Sequence, residues 1–473
     1  MNPSDVPFLS GVELAEAIRN KRISSSAALE VLIERVERLN PPLNAIIIKD
    51  YDRARKRARE ADAALARGEI WGPIHGVPFT VKENNDVEGL HTTIGNPKDK
   101  DRIADRHEVM IQRVISAGGI IFGKTNLPID AMDLQSYNVI YGSTSNPWDL
   151  TRTPGGSSGG AAAALAAYLT PFELGGDIGG SVRGPASFNG LYGHKPTYGI
   201  IPKRGPSLSR VATEISVRGP LARTIEDLKL LVSITAGADE ANVGRRGWKL
   251  DLPQPTKSSL KEYKVAIWAD DEMAPVCDEL TETAEELAQF LESKGATVDR
   301  NARPNFNKWE NQKLWVLLTA ANRALNPGTA GNTSLRDYRM ARERQQVIID
   351  AWEDFFNEFD ILICPSHSSQ CFLKDESEDM NARQLTINKN NKKMVIPYFQ
   401  PIFWAFITNI GDLPSTTFPC GVKNGLPVCL NAVSKVYYDN ITMDFARLLK
   451  LEGGEKYSFT APPGYSKAAS AKM

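Results

Sequence analysis

The chain has 473 residues, 42% of them hydrophobic and 24% charged, a usage that supports a large buried core. Its 56 Lys and Arg nearly cancel 57 Asp and Glu, so no overall field recruits nucleic acid or an anionic membrane surface, and a small neutral partner is expected. The start lacks the basic, apolar and small-residue pattern of a secretory signal, no run of about twenty apolar residues reads as a membrane span, and the five cysteines show no CxxC pairing; a cytoplasmic protein without disulfides or a metal site is expected.

In chain order, Leu14, Ile18, Ala28, Val31, Leu32, Val36 and Leu39 recur at nearly helical period, with Ser24 to Ser26 as a cap between two segments. They predict a helical pair, and the Arg/Glu/Ala-rich stretch 51–67 predicts an exposed helix broken at Gly68, Gly72 and Pro73. Residues 1–75 thus read as a helical opening segment of a larger fold. From Gly76 to residue 237 the composition changes: GVPFTVK (76–82) and GGIIFGK (118–124) read as strands, HEVMIQRVISA (107–117) and AAAALAAYL (161–169) as helices. The polar, Gly/Pro-bearing stretch 238–261 reads as a connecting loop. A second α/β section follows over 262–463: the strand YKVAIWAD, the helix 279–295, a mainly helical cap over 309–357, the buried strand DILICPS, the strands LPSTTFPCG and LPVCLNAVS, and a helix at 440–451. Residues 464–473 are small and polar and are expected to be a disordered tail. Strands alternating with helices predict an α/β fold with a large mixed, mostly parallel sheet covered by helices on both faces.

The most unusual stretch is TPGGSSGGAAAALAAYLTPFELGGDIGGSVRGPAS (153–187), two Gly/Ser clusters around an alanine-rich apolar run. Dense glycine lets backbone N–H groups approach a ligand closely. Neither cluster reads GxxxxGK[ST], so a phosphate loop fits poorly, and a flexible linker would not embed ALAAYL.

GGSSGG (155–160), GGDIGGSVRGPAS (175–187) and YGHKPTYGIIP (192–202) resemble, in order and spacing, the diagnostic pattern of the amidase signature enzymes. GVPFTVKENND (76–86), GKTNLP (123–128) and QSYNVIYGSTSNPW (135–148) extend the likeness, which is strong from about Gly76 to Thr224 and weaker in LPSTTFPCG, GLPVCLNAVS and APPGY. The resemblance implies a seryl hydrolase with Ser181 as nucleophile, Ser157 on a cis peptide as proton relay and Lys82 as base. It implies an oxyanion hole from the backbone amides of Ile178, Gly179, Gly180 and Ser181, with Ser158, Asp177 and Arg183 supporting the loop. It also implies amide hydrolysis through an acyl-enzyme, on an aryl or acyl amide, ester or carbamate, with no cofactor and with a homodimer common among relatives. The same chemistry would serve an acyltransferase or the glutamine-hydrolysing subunit of a tRNA amidotransferase, and a catalytically silent binding protein is the reading from another class. Departures from the pattern stand at Glu83, Gly176 and Asn189.

Elementary chemistry agrees with that assignment. A serine hydroxyl needs a positioned base, no histidine lies in the glycine clusters, and a lysine can serve where burial lowers its pKa. Ser157 can bridge because a hydroxyl both donates and accepts. For the substrate, Ala131 and Met132 and the tryptophans Trp309, Trp315 and Trp352 are expected to line or cover the acyl pocket, whereas His194 and Lys195 are expected to hold the core.

Overall fold

A computed structural model describes residues 1–203, 214–239, 247–321 and 333–470; parts of the expected core section, connecting loop, helical cap and tail lie outside these. The chain opens with α1 (Gly11–Arg19), whose Ser10 and Glu13 form a reciprocal cap, and α2 (Ser25–Leu39), capped by Ser24. Each buries an apolar stripe, Leu14 and Ile18 on one and Leu29, Leu32 and Val36 on the other. Then come β1 (Ile46–Lys49), α3 (Tyr51–Ala66), β2 (Pro78–Lys82), α4 (Val109–Ser116) and β3 (Ile120–Thr125). These strands form a small sheet in the order β1-β3-β2, with β2 parallel to β3 and β1 antiparallel to it. A two-residue ladder, β4 (Tyr137–Asn138) with β5 (Gly142–Ser143), precedes α5 (Gly159–Ala166). All eight residues of α5 are buried, so this helix has no solvent face and runs through the centre of the fold.

The remaining elements build the main sheet and its cover. In order they are β6 (Phe172–Asp177), α6 (Arg183–Asn189), β7 (Tyr192–Lys195), β8 (Val217–Ala222), α7 (Ile225–Thr235), β9 (Lys264–Ile267), α8 (Asp278–Ser293), β10 (Thr297–Asp299), α9 (Lys308–Ala321) and α10 (Leu335–Glu358). They continue as β11 (Ile361–Cys364), the hairpin β12 (Gln384–Lys389) and β13 (Lys392–Pro397), α11 (Phe403–Ile410), β14 (Ser415–Lys423), β15 (Leu426–Val433) and α12 (Asp439–Gly453). The eight-stranded sheet runs β10-β9-β11-β15-β14-β7-β8-β6. Strands β7, β8 and β11 are buried at every position, which requires cover on both faces.

The α/β class and the mixed sheet are as the sequence predicts, but parallel neighbours are the minority within it. Only β10 with β9 and β9 with β11 run parallel; the other neighbours are antiparallel. One reason is local: Asn424 and Gly425 both adopt left-handed φ, closing β14 and β15 into a tight hairpin that allows no other direction.

The hairpin β12–β13, which the sequence did not announce, is strapped to the loop before β4. Arg383 pairs with Asp133 at 2.7 Å with both side chains buried, and the Tyr398 hydroxyl donates to the same carboxylate. Gln135 donates to the Tyr398 oxygen at 3.0 Å and accepts from Asp375 N–H at 2.9 Å. Among the described residues, no helix is long and apolar enough to cross a membrane.

Candidate active site

Lys82 closes β2 with 1% of its surface exposed, and every residue of that strand is buried. Its Nζ lies 2.6 Å from Ser157 Oγ, to which it donates. Burial pushes the Lys82 ammonium well below its ordinary pKa, and the nearby Arg218 guanidinium pushes the same way.

Ser157 follows a cis Gly156–Ser157 peptide. Gly156 is required by packing: a Cβ there would sit 2.2 Å from Asp133 O and 2.4 Å from Gln135 O, backbone atoms of the strapped loop. Ser136 Oγ donates to Gly155 O at 2.9 Å and accepts from Gly159 N–H at 3.0 Å, fixing the turn from both sides. Ser158 N–H donates to Ser181 O at 3.2 Å, so the two Gly/Ser loops are joined where the serines lie. Asn189, one of the departures, joins them again through hydrogen bonds of 2.8 Å to Pro154 O and Pro185 O.

Ser181 sits at the start of α6 and is 7% exposed. Its loop is organised around Asp177, which pairs with the Arg183 guanidinium through Nε at 3.0 Å and Nη2 at 2.9 Å. Burial alone would raise the Asp177 pKa; Arg183, Lys195 and the Gly180 N–H outweigh it and hold the carboxyl well below the usual range. Arg183 also donates to Thr408 Oγ1 and Asn409 Oδ1, both at 2.6 Å, anchoring the loop to α11.

This arrangement changes one expectation. Gly180 N–H donates to Asp177 Oδ1 at 2.9 Å, so it is committed to the loop rather than open to a ligand. The N–H groups of Ile178, Gly179 and Ser181 have no acceptor among the described residues. The Ile178 carbonyl is held from above by Trp315 of α9, whose Nε1 donates to it at 2.9 Å. A Cβ on Gly179 would stand 3.1 Å from the Trp315 ring.

Several charged groups that sequence reasoning missed surround the lysine. Glu173 on β6 is fully buried, accepts from the Thr80 hydroxyl, and is pushed up to about 8 by burial despite that bond. Arg218 on β8 pairs with buried Glu108 at 2.7 Å. No local motif marks either group, since β6 packs on β2, and β8 pairs with β6, only in the folded chain. Glu83, another departure, accepts from Ile94 N–H at 3.0 Å and from Thr93 N–H.

A narrow cleft of about 10 Å³ opens beside Gly156 and Gly179, walled by Leu134, Phe188, Ser366, His367, Ile402 and Ala405. Ala131 and Met132 are not among its walls. They belong to the turn at Ile129–Ala131, where Asp130 and Ala131 adopt left-handed φ and stay partly exposed, and Leu134 reaches inward instead. Of the three tryptophans only Trp315 reaches the loop that carries Ser181. Trp309 is 59% exposed, and Trp352 is buried in an aromatic cluster, stacked on Phe356. His194 bonds Thr416 at 2.9 Å and Asp439 at 3.1 Å, the core role expected of it. Among the described residues no group of His, Cys, Asp and Glu is poised to hold a metal ion.

The fold and site define an α/β protein in which one glycine-rich loop sets Ser157 against a buried lysine and is hydrogen-bonded to a second such loop that carries Ser181. The chain belongs to the Amidase family, whose family model matches residues 27–327 and 318–443, and it is a hydrolase of carbon–nitrogen bonds in amides. It is 32% identical to an acylamidase of Rhodococcus erythropolis, covering 94% of this chain and 95% of the relative. It is 30% identical to an indoleacetamide hydrolase of Bradyrhizobium diazoefficiens, covering 94% and 86%. It is 29% identical to a glutamyl-tRNA(Gln) amidotransferase subunit from Moorella thermoacetica, covering 91% and 93%. Among solved structures, a bacterial aryl acylamidase of the amidase signature family superposes with a TM-score of 0.82 at 23% identity, covering 97% of this chain and 99% of that one.

Proposed function

We propose that the chain hydrolyses a small aryl or acyl amide through an acyl-enzyme on Ser181, with Ser157 and Lys82 as its proton relay. The observation that carries the reading is the 2.6 Å contact between Lys82 Nζ and Ser157 Oγ in a dry setting that favours the neutral amine. A neutral Lys82 takes the Ser157 proton while Ser157 takes that of Ser181, whose Oγ forms the bond to the amide carbon. The N–H groups of Ile178, Gly179 and Ser181, without an acceptor among the described residues, supply donors for the developing oxyanion, each worth about 3–4 kcal/mol where they fit. Collapse breaks the C–N bond, the leaving nitrogen receives its proton back through Ser157, and water then releases the acid by the same relay. Gly180, Asp177, Arg183 and Ser158 hold the loop in place. The balanced charge and the five free, buried cysteines fit action in the reducing cytoplasm on a small amide.

The test is intact-mass spectrometry and peptide mapping after a fluorophosphonate probe, in wild type and in Ser181→Ala. One adduct on Ser181, lost in the variant, is expected. An adduct elsewhere, or an active Ser181→Ala enzyme, overturns the assignment. The likeness to an amidotransferase component keeps a second reading, glutamine hydrolysis in a complex. Ammonia release from simple amides by the isolated chain, without preference for glutamine, would exclude it.

A further inference from the structure

The turn that follows Lys82 is gripped from two strands of the main sheet. Asn85 N–H donates to Lys82 O at 3.0 Å and closes the turn, and Asn85 Nδ2 donates to Leu174 O on β6 at 2.8 Å. From β8, Arg218 Nη2 donates to Asn84 O at 3.1 Å, two residues from the lysine. Arg218 is 1% exposed; the same Nη2 meets Glu108 Oε2 at 2.7 Å, and Nε has no partner among the described residues. Across the ladder of β6 and β8 its neighbour is Gly176, where a Cβ would stand 3.2 Å from Arg218 Nη1. The glycine that departs from the family pattern thus leaves room for the guanidinium, one residue before Asp177.

Four charged or titratable groups face Lys82: Arg218 from β8, Asp177 and Glu173 from β6, and Lys203. Asp177 is charged but is paired with Arg183 at 2.9 Å. Glu173, pushed up to about 8 by burial, is mainly uncharged at neutral pH, and Lys203, pushed down to about 7 by burial, is only partly charged there. A guanidinium keeps its charge throughout the working pH range, and in a water-poor interior a cation opposes protonation of a neighbouring amine. Of these groups Arg218 acts most strongly on Lys82. We infer that Arg218 is a positioning residue of the proposed relay: it fixes the turn behind Lys82 through Asn84 and keeps a permanent positive charge beside the amine, so that the lysine waits unprotonated as a base. This rests on the reading of Lys82 as that base.

The test titrates Lys82 directly, so it does not depend on turnover. NMR of the lysine Cε resonances, in protein carrying isotope-labelled lysine, gives the pH midpoint at which Lys82 protonates, its signal assigned by its absence in Lys82→Met. Arg218→Gln should raise that midpoint by about one pH unit. Glu108→Gln breaks the same ion pair but leaves the cation, so its midpoint should stay or fall. Arg218→Lys, which keeps a charge, should stay close to wild type. Arg218→Met combined with Glu108→Leu removes the pair without leaving an orphan charge; it should still move the midpoint up, because Arg218 leads the charges that act on Lys82, and it serves where Arg218→Gln does not fold. No rise in a folded variant lacking Arg218, or an equal rise in Glu108→Gln, overturns the inference. Labelling of Ser181 by the fluorophosphonate probe is followed separately across pH, and its acid limb should move with the midpoint. A midpoint that shifts while Ser181 stays unlabelled upholds the hold of Arg218 on Lys82 and counts against the hydrolase reading, whereas labelled Ser181 with an unmoved midpoint sinks the role of Arg218 alone.

Discussion

Lys82 is a buried amine that forms no ion pair with a carboxylate among the described residues, and its one hydrogen bond is to Ser157. Its folded pKa lies well below that of the unfolded chain, so between those two values the unfolded chain binds more protons and stability rises with pH. At neutral pH the lysine therefore works against folding. Lys82→Met, which keeps volume and removes the charge, should stabilise the protein by about 1–2 kcal/mol at pH 7, read as a higher urea midpoint, with the gain shrinking toward pH 10. The same variant should lose on the order of 10⁴ in kcat/KM. In wild type the rate should fall on the acid side as the amine is protonated and ceases to be a base. A variant that is both less stable and still active would show that Lys82 is structural.

At the scale of elements, two straps from the second half of the chain hold loops of the first. The Arg383 ion pair holds residues 133–135 against Gly156, and Trp315 of α9 holds Ile178. Trp315→Phe keeps most of the ring contact and removes the donor. It should lower kcat about tenfold with little change in KM, because the carbonyl it releases belongs to the loop proposed to carry the oxyanion donors. Steady-state kinetics over a range of substrate concentrations separates the two parameters. An equal loss through KM alone would mean that Trp315 touches substrate rather than positioning the loop. Much of the local structure around these straps was legible. The capped helices at 11–39, the strand ending at Lys82 and the helix at 440–451 follow from periodicity and caps, because short-range patterning suffices for them. The hairpin 384–397 and the wall residues Leu134, His367 and Ile402 were not legible. Their partners lie hundreds of positions away, as Arg383 and Asp133 do, and leave no local signal.

Across the whole molecule all five cysteines, Cys277, Cys364, Cys371, Cys420 and Cys429, are free and buried. Burial pushes every one of these thiols up, Cys277, Cys364 and Cys371 to about 12. Native protein treated with iodoacetamide at pH 8 should gain no adduct, whereas the denatured chain should gain five, because only an exposed thiolate reacts. An adduct on the native chain would mark a segment that opens locally.

The sequence by itself marked the residues proposed for the chemistry: glycine where backbones must touch, serines at a fixed separation, and a lysine ending an apolar strand. Those are demands of local backbone geometry and of reactivity, and they leave a contiguous trace. The tertiary structure decided which of the four expected oxyanion amides is tied up, which of three tryptophans reaches the loop, and which side chains wall the cleft. Each of those depends on how distant strands and helices stack. Asp177 captures the Gly180 N–H only because Arg183, anchored by α11, fixes the carboxylate beneath it.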